Sequence, residues 1–223
     1  MVKAVIFDMY ETLITHFAGP LYFGRQMAEE IGIPEKKFRE IWDTTDDDRT
    51  IGTLTLEEVV GRILRENGCY SAKLFRTLIE KRIQTKVDCF RHLHVEIHPM
   101  LQALKEKGIQ IGLISNCYYE EAEVIRESEL FPYFDVVCLS CELGVKKPDV
   151  LIYEKCMEQL GVAAGECLYV GDGGSRELET AEGIGMKAVQ AAWYLKEGTT
   201  QPVGRKEEFE QAERPMNVLN YLE

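Results

Sequence analysis

The segment VIFDMYETL, residues 5–13, joins an apolar run to a short polar stretch and is the strongest indication of the fold class. The run Val2–Phe7 is rich in β-branched and aromatic residues, and it stops at Asp8. Short runs of this kind are typical of strands buried on both faces of a parallel sheet. An aspartate directly after such a strand lies at the carboxyl edge of the sheet, where open α/β folds form their ligand crevice.

The same signal recurs along the chain and alternates with helical spacing. Further apolar runs predict strands at Ile109–Ile114, Val136–Leu139, Cys167–Val170 and Lys187–Ala191. Helical periodicity, bounded by Gly or Pro, predicts helices at Met100–Lys107, Tyr119–Glu129, Val150–Leu160 and Arg176–Glu182. The stretch from Trp193 onward predicts an edge segment and a last helix. Because strand and helix alternate, the sequence predicts an α/β sheet with helical crossovers.

Residues from about 15 to 90 interrupt this alternation, because they contain no convincing strand. Their periodicity predicts four amphipathic helices near Tyr22–Ile31, Glu35–Asp46, Leu56–Asn67 and Ala72–Thr85. An insertion directly after the first strand is expected to lie over the carboxyl ends of the sheet, where it would shield the site and select substrates. We expect hinge motion near Thr15 and Phe90, because the two parts must separate to admit a ligand.

Length and charge restrict the classes of function. At about 150 residues per domain, 223 residues fit one compact domain with an inserted lobe. The 26 Lys and Arg against 38 Asp and Glu give a net charge of −12, which repels nucleic-acid phosphates and anionic lipid heads. No apolar run is long enough to span a bilayer. We therefore expect neither a nucleic-acid partner nor a membrane partner.

The cysteines and the N-terminal region indicate the compartment. Seven cysteines, an odd number without framework spacing, favour a reducing environment, and the first apolar stretch is too short for a secretory signal. We therefore predict a cytoplasmic protein, a monomer or a homodimer. Cys138 and Cys141 form a C-x-x-C pattern without a second ligand pair, which favours buried small residues over a zinc or redox site. The cluster of His92, His94 and His98 is a weak metal candidate for a similar reason, since a third ligand must come from another element.

Three later segments place polar residues at the same predicted edge of the sheet. They are IGLISNC (residues 111–117) with Ser115 and Asn116, GVKKPDVLIYE (144–154) with Lys147, and LYVGDGGSRELETAEGIGM (168–186) with Asp172 and Glu177. Each of these residues follows a predicted strand or begins a predicted helix. The carboxyl ends of parallel strands share one edge, so we expect these side chains to meet there.

Taken in order with Asp8, Tyr10 and Thr12, these segments resemble the haloacid dehalogenase-like (HAD) superfamily of hydrolases. Its pattern is a strand-ending D-x-(D/Y)-x-T-L, a strand ending in Ser or Thr, a Lys, and a strand ending in acidic residues. The resemblance covers the core at both ends of the chain. It implies a Rossmann-like parallel α/β core of residues 1–14 and 91–223, with residues 15–90 as an all-α helical-bundle cap.

The resemblance also implies a reaction, the hydrolysis of a small phosphorylated metabolite. Asp8 would be the nucleophile and would form an aspartyl-phosphate, which splits one difficult displacement into two steps. Lys147 and the hydroxyl of Ser115 would stabilise the phosphoryl group, and Asn116 would orient that group or its neighbours. Phosphoryl transfer requires little more than this alignment and neutralisation of charge.

The same resemblance implies a Mg²⁺ cofactor. Its ligands would be Asp8, the backbone carbonyl of Tyr10 and Asp172, since this ion prefers oxygen. Glu177 would be a further ligand, or would hold a metal-bound water or a loop amide. As an alternative, Glu177 would only place a favourable charge in the first turn of a helix.

The chain departs from the phosphatase pattern directly after the nucleophile. Phosphatases of the superfamily usually carry a second Asp two residues on, which protonates the leaving group and later activates water. Tyr10 occupies this catalytic position, and a phenol with a reference pKa of about 10 is a poor base at neutral pH. Glu11 replaces the more usual Gly, and it would serve as an acid if its side chain turned inward.

Two other functions and one structural alternative remain open. Tyr at this position is also found in 2-haloacid dehalogenases of the superfamily, whose Asp attacks carbon without a metal. That alternative gives Asp172 and Glu177 no role. In addition, the insertion has no convincing counterpart of the arginine-bearing halide site that those dehalogenases have. A feebly active phosphometabolite-binding protein is the third possibility. In structural terms, Ser115 and Asn116 would simply cap the following helix.

Overall fold

The structure is a computed structural model that describes residues 1–195 and 203–223. Its centre is a sheet of six described strands in the order β3-β2-β1-β4-β5-β6, and each neighbouring pair is parallel. The strands are β1 Ala4–Phe7, β2 Gln110–Ser115, β3 Val136–Leu139, β4 Cys167–Gly171, β5 Lys187–Ala191 and β6 Glu210–Ala212. The predicted parallel α/β core is confirmed.

The central strand, β1, is enclosed on both faces. It pairs with β2 along one side and with β4 along the other, and its four residues are fully buried. Val5 and Phe7 belong to the apolar cluster on one face of the sheet, and Ala4 and Ile6 belong to the cluster on the other. Because alternate residues of a strand point to opposite faces, burial of both faces requires a continuous apolar run.

Helices cover both faces of the sheet and form the inserted segment. In that segment they are α1 Gly24–Ile31, α2 Glu35–Trp42, α3 Asp46–Thr50, α4 Leu56–Glu66 and α5 Ala72–Cys89. The core helices are α6 Ile97–Glu106, α7 Tyr119–Glu127, α8 Ser140–Leu143, α9 Val150–Leu160 and α10 Glu177–Gly183. Short 3₁₀ helices lie at His16–Ala18, Asp43–Thr45, Phe90–His92, Phe131–Tyr133, Ala164–Glu166, Gly174–Arg176 and Pro215–Tyr221.

Residues 24–89, which we call the helical segment, contain helices and no strand. Their apolar faces pack into a cluster of their own that includes Phe38, Ile63 and Leu78. Thr55 caps α4, because its hydroxyl accepts the N–H of Glu58 while the Glu58 carboxylate accepts the N–H of Thr55. The role of this segment as a cap, with boundaries at residues 15 and 90, stays a prediction.

The structure corrects several predicted boundaries. The helix predicted at residues 35–46 ends at Trp42, and α3 follows it; DTTDDDRT, residues 43–50, gives no apolar signal for α3. Helix α5 continues to Cys89 rather than ending at Thr85. Helix α6 begins at Ile97 rather than Met100, because Pro99 is tolerated in a first turn, where its missing N–H is not needed.

The C-terminal part of the chain closes one edge of the sheet. Strand β6 pairs with β5, as the predicted edge segment requires, and the last helix is the 3₁₀ helix Pro215–Tyr221. Residues 196–202 of the predicted stretch lie outside the described residues. In the part of the chain that is described, no helix is both long and apolar enough to cross a bilayer. All seven cysteines are described, and each is a free thiol.

Candidate active site

The carboxyl edge of the sheet gathers the polar residues of three strands. Asp8 follows β1, Ser115 ends β2 and Asp172 follows β4. These ends lie side by side because β1 pairs in parallel with both neighbours. The pairing continues one residue further, since the N–H of Asp8 donates to the carbonyl of Val170 at 2.9 Å.

Lys147 reaches this edge from the loop before α9 and lies at its centre. Its Nζ is 2.5 Å from Oδ1 of Asp8, 2.5 Å from Oε2 of Glu177 and 3.3 Å from the hydroxyl of Tyr169. Burial alone would lower the pKa of Lys147, but the carboxylates of Asp8 and Glu177 outweigh it and raise that pKa. The ammonium therefore stays charged beside Asp8.

Three buried carboxylates surround this one ammonium. Oxygens of Asp8, Asp172 and Glu177 lie within 4.8 Å of one another. Burial and repulsion from Glu177 together raise the pKa of Asp8 to about 7, although the attraction of the Lys147 ammonium opposes this rise. Burial and repulsion from the other two carboxylates raise the pKa of Asp172 to about 8. An all-oxygen donor set with excess negative charge fits a hard divalent cation such as Mg²⁺.

No other group of three His, Cys, Asp or Glu side chains within residues 1–195 and 203–223 has such a geometry. Two of the three histidines that crowd the sequence, His94 and His98, have separate partners. His94 Nδ1 accepts the N–H of Glu96, and the ring of His98 contacts the hydroxyl of Tyr133. The carboxylate cluster is therefore the metal candidate of the described chain.

Glu177 is fixed by donors on both of its oxygens. Oε1 accepts the N–H of Gly173 at 3.1 Å, and Oε2 accepts from Lys147 and from the Tyr169 hydroxyl at 2.9 Å. A Cβ at Gly171 would lie 2.1 Å from Oε1, so a glycine is required for Glu177 to fit. Asp172 uses Oδ1 to accept the N–H of Gly174 at 2.8 Å.

Asn116 holds the main chain of Lys147 rather than capping α7. Its Oδ1 accepts the N–H of Lys147 at 2.8 Å, and its Nδ2 donates to the Lys147 carbonyl at 3.0 Å. The N-cap of α7 is Tyr118, so the capping interpretation is wrong. Ser115 is fully buried, and its Oγ has no hydrogen-bond partner among the described residues.

A cavity of about 1050 Å³, which we call the main cavity, opens above this cluster. Asp8, Asp172 and Lys147 line it from the sheet edge, and His16 and Phe23 line it from the segment that follows β1. The arrangement combines a buried carboxylate, a fixed ammonium and a cation-binding group in one accessible crevice. A carboxylate, a compensating ammonium and room for a small molecule are thus in one place.

A sequence model of the haloacid dehalogenase-like hydrolase family matches residues 2–185. The chain belongs to this family. The matched range includes all four motif segments, and the structure brings these segments together at one edge of the sheet. The protein is therefore a HAD hydrolase, and an enzyme.

Relatives of this HAD hydrolase include proteins named as phosphatases. "Putative pyrophosphatase PpaX" of Clostridium perfringens is 30% identical over 187 residues, which cover 77% of this chain and 76% of that protein. Glyceraldehyde 3-phosphate phosphatase of Methanocaldococcus jannaschii is 23% identical over 206 residues, which cover 85% of each.

Solved structures with the same fold have different named activities. A HAD phosphatase from Thermococcus onnurineus has a TM-score of 0.68 at 21% identity, covering 99% of this chain and 98% of that one. A 2-haloacid dehalogenase from Pseudomonas syringae also has a TM-score of 0.68, at 22% identity and coverages of 99% and 97%. A HAD family enzyme from Bacteroides thetaiotaomicron, in complex with magnesium and inorganic phosphate, has a TM-score of 0.63 at 18% identity and coverages of 91% and 98%. The fold alone therefore does not distinguish the two reactions.

Tyr10 of this HAD hydrolase has an environment unsuited to proton transfer. Its hydroxyl is buried and has no hydrogen-bond partner among the described residues, and its ring stacks on His16 with centroids 4.5 Å apart. Burial, reinforced by repulsion from Glu121, raises the pKa of Tyr10 well above its usual value. The phenol keeps its proton at neutral pH.

The backbone conformation of Glu11 explains why glycine is usual at this position. Its φ of 58° lies in the left-handed region that favours glycine. The strained turn is held by its carboxylate, which accepts from the hydroxyl of Thr15 at 2.5 Å and from the N–H of His16 at 2.9 Å. A further contact of 3.0 Å joins it to Nδ1 of His16. The carboxylate is thus directed at Thr15 and His16, which does not support a role as an acid turned toward Asp8.

Sequence reasoning missed His16, Lys86 and Tyr169. Nε2 of His16 lies 2.6 Å from Nζ of Lys86, which connects the loop after β1 to α5. A single histidine in a loop and a single lysine in a helix give no local signal. Tyr169 does give one, because a hydroxyl within a buried apolar strand requires a buried partner.

Proposed function

We propose that the protein is a Mg²⁺-dependent phosphatase that hydrolyses a small phosphorylated metabolite through an aspartyl-phosphate on Asp8. The observation that carries this proposal is the cluster of Asp8, Asp172 and Glu177 around Lys147. The relatives named as phosphatases support it. We place the activity in the cytoplasm of the cell, in a monomer or homodimer that acts on a small molecule rather than on nucleic acid or membrane.

In the proposed reaction, Asp8 Oδ2 attacks phosphorus, because Lys147 holds Oδ1 at 2.5 Å whereas the Thr12 hydroxyl contacts Oδ2 only at 3.4 Å. The bond from phosphorus to the leaving group breaks, and the leaving oxygen keeps the electron pair and takes a proton from a water molecule in the crevice. Water then attacks phosphorus, the bond to Asp8 breaks, and inorganic phosphate leaves with the carboxylate restored. Lys147 neutralises part of the charge spread over the phosphoryl oxygens throughout.

The remaining residues support the same displacement. A bound Mg²⁺, held by Asp8, Asp172 and the Tyr10 carbonyl, would supply the further positive charge that the phosphoryl group requires. Ser115 Oγ is a hydroxyl without a partner in the described chain, so it is available to donate to a phosphoryl oxygen. Asn116 acts through the main chain of Lys147.

Two competing functions follow from Tyr10. A metal-independent 2-haloacid dehalogenase is the second candidate, because those family members carry Tyr at this position. Against it, the reaction at carbon would give the clustered acids Asp172 and Glu177 no role. A feebly active phosphometabolite-binding protein is the third candidate, since the Tyr10 hydroxyl supplies no acid.

The experiment that separates the three candidates measures release of phosphate and of halide from phosphorylated metabolites and short 2-haloacids, each with Mg²⁺ and with EDTA. We expect phosphate release that EDTA abolishes and that Asp8→Asn lowers at least about 10³-fold. Halide release that is indifferent to EDTA would establish the dehalogenase. Mg²⁺-dependent binding of phosphorylated ligands without turnover would establish the binding protein.

A further inference from the structure

A second chamber of about 580 Å³ lies beside the main cavity, between the helical segment and the core. The two spaces adjoin each other, because several residues line both of them. The shared residues are Tyr10, His16, Phe23, Asn116, Lys147, Ser175 and Arg176. A substrate with its phosphoryl group at Asp8 can therefore extend its leaving group into the second chamber.

Two buried cations from one turn of α5 line this chamber. Arg82 and Lys86 are only 3% and 2% exposed. Both reach the same oxygen of Glu121: Oε1 lies 2.6 Å from Nζ of Lys86 and 3.2 Å from Nη2 of Arg82. Burial alone would raise the pKa of Glu121, but the two cations lower it to about 2. One firmly ionised carboxylate is thus shared by two buried positive charges.

The other neighbours of these cations balance them incompletely. Glu120 lies 3.7 Å from Nε of Arg82, but neither of its oxygens has a hydrogen-bond partner in the described chain. Burial and the adjacent Glu121 raise the pKa of Glu120. The second contact of Lys86 is the ring of His16, which is neutral at pH 7 because burial and Lys86 lower its pKa to about 4.

Arg82, which lines the chamber, also donates from Nη1 to the carbonyl of Tyr22 at 3.3 Å, and part of its hydrogen-bonding capacity is unused. Nε of Arg82 is buried and has no acceptor among the described residues. Cations also outnumber anions on the described lining, which carries Arg82, Lys86, Lys146, Lys147 and Arg176 against Asp46 and Glu121. Buried cations that share one partner gain most from an additional anion, since an uncompensated buried charge is costly. Guanidinium and ammonium groups together suit a carboxylate or a phosphate.

We propose that the second chamber is a specificity subsite in which Arg82 and Lys86 bind an anionic group on the leaving part of the substrate. The group is a carboxylate or a second phosphate, which share the oxyanion chemistry that these cations recognise. The aromatic rings of Phe23, Trp42 and Tyr118 form the apolar wall beside it. This proposal rests on the proposed phosphatase function, and it narrows the substrates to those with two anionic ends.

Matched substrates test the subsite. Glycerol 3-phosphate and 3-phosphoglycerate differ by a carboxylate in place of a hydroxymethyl group, and fructose 6-phosphate and fructose 1,6-bisphosphate differ by a second phosphate. We expect kcat/KM to be at least about 10-fold higher for the member with two anionic groups in one of these pairs, because hydrogen bonds to charged groups are stronger than those to neutral groups. Which pair shows the preference identifies the anion. Equal values within both pairs would overturn the subsite while leaving the phosphatase intact.

Variants assign the preference to α5. We expect Lys86→Met and Arg82→Met to lower kcat/KM for the preferred substrate by about 10- to 100-fold, with less than about 3-fold change for the member of the pair that has only the one phosphate. Lys86→Arg should retain most of the preference, which excludes a folding defect as the cause. Lys73→Met, an exposed lysine on the same helix, is the matched control. Equal losses on both members of a pair would contradict the proposal.

A binding measurement keeps the test independent of turnover. Trp42 lines the chamber, and in a Trp193→Phe background it is the sole tryptophan of the chain. Titration of Asp8→Asn/Trp193→Phe with 3-phosphoglycerate or fructose 1,6-bisphosphate should change Trp42 fluorescence, and adding Lys86→Met should weaken that binding about 10-fold or more. Binding that Lys86→Met leaves unchanged would overturn the subsite. If these ligands bind but the wild type hydrolyses none of them, it is the phosphatase function that has failed.

Discussion

Tyr10 stands where a second carboxylate is usual, and its hydroxyl has no partner in the described chain. We therefore expect Tyr10→Phe to keep kcat within about 2-fold. The free energy of unfolding should stay equal or rise by up to about 1 kcal/mol, because a buried hydroxyl without a hydrogen bond is lost. Phosphate release and urea denaturation measure the two effects. A drop in kcat beyond about 10-fold in a folded Tyr10→Phe protein would instead make the phenol the acid.

His16 gives the protein a pH-dependent stability. Its pKa is about 4 in the folded state, because burial and Lys86 oppose its protonation, against about 6.5 when unfolded. Between these values the unfolded chain binds a proton that the folded protein does not, so stability falls as the pH is lowered from about 6.5 to 4. The loss attributable to His16 is about 3 kcal/mol by pH 4.

The change His16→Gln isolates this contribution. We expect the unfolding free energy of the wild type, minus that of His16→Gln, to decrease by about 3 kcal/mol between pH 7 and pH 4 in urea titrations. Taking a difference matters because Asp8 and Asp172, whose pKa values are raised, contribute with the opposite sign. A difference that does not vary with pH would show that His16 is protonated as easily in the folded state.

The sequence predicts the site residues that directly follow strands, but not the residues that distant parts of the chain contribute to the site. Asp8 and Asp172 are recognisable because each follows an apolar run that is itself recognisable. Lys86 and His16 lie 70 positions apart and meet only because α5 packs over the loop after β1. No local pattern reports such a contact, since it depends on tertiary packing.

Asn116 connects two loops, because it follows β2 and holds the loop before α9 that carries Lys147. We expect Asn116→Ala to lower kcat about 10- to 100-fold with a smaller change in KM, because it removes both hydrogen bonds to the main chain of Lys147 and so misplaces its ammonium. Asn67→Ala, which removes a hydrogen bond at the end of α4, is the control and should leave both constants unchanged. A rise in KM at constant kcat would indicate that Asn116 contacts the substrate directly.

Strands were easier to predict than helix ends. Each of β3 and β5 agrees with its predicted range, because most of its residues are apolar and its second half is buried. Helix α3 is not predicted, because its aspartate-rich sequence lacks apolar residues at helical spacing. Helix α5 extends to Cys89 because packing against the core stabilises a last turn that the local pattern does not mark.

At the scale of the whole molecule, the carboxylate cluster links metal binding to stability. We expect 10 mM Mg²⁺ to raise the Tm of the wild type by about 5–10 °C, since a ligand at 100 times its Kd adds about 2.7 kcal/mol. Asp172→Asn should abolish most of this rise, and it should be more stable than the wild type in EDTA because repulsion among the acids is relieved. Glu123→Gln, which removes an exposed carboxylate, is the control. An equal rise in Asp172→Asn would exclude Asp172 as a ligand.

The strand order has a consequence for how the protein is made. Strand β1 leaves the ribosome before the other described strands, and its partners β2 and β4 begin only at residues 110 and 167. The helical segment carries its own apolar cluster and is complete in the chain by residue 89, so it can collapse while β1 is still unpaired. A nascent chain shorter than about residue 177 therefore contains Asp8 without the acids that complete its cluster. The carboxylate cluster is complete only after Glu177 has been synthesised, and until β2 and β4 have emerged the apolar strand β1 lacks both of its pairing partners.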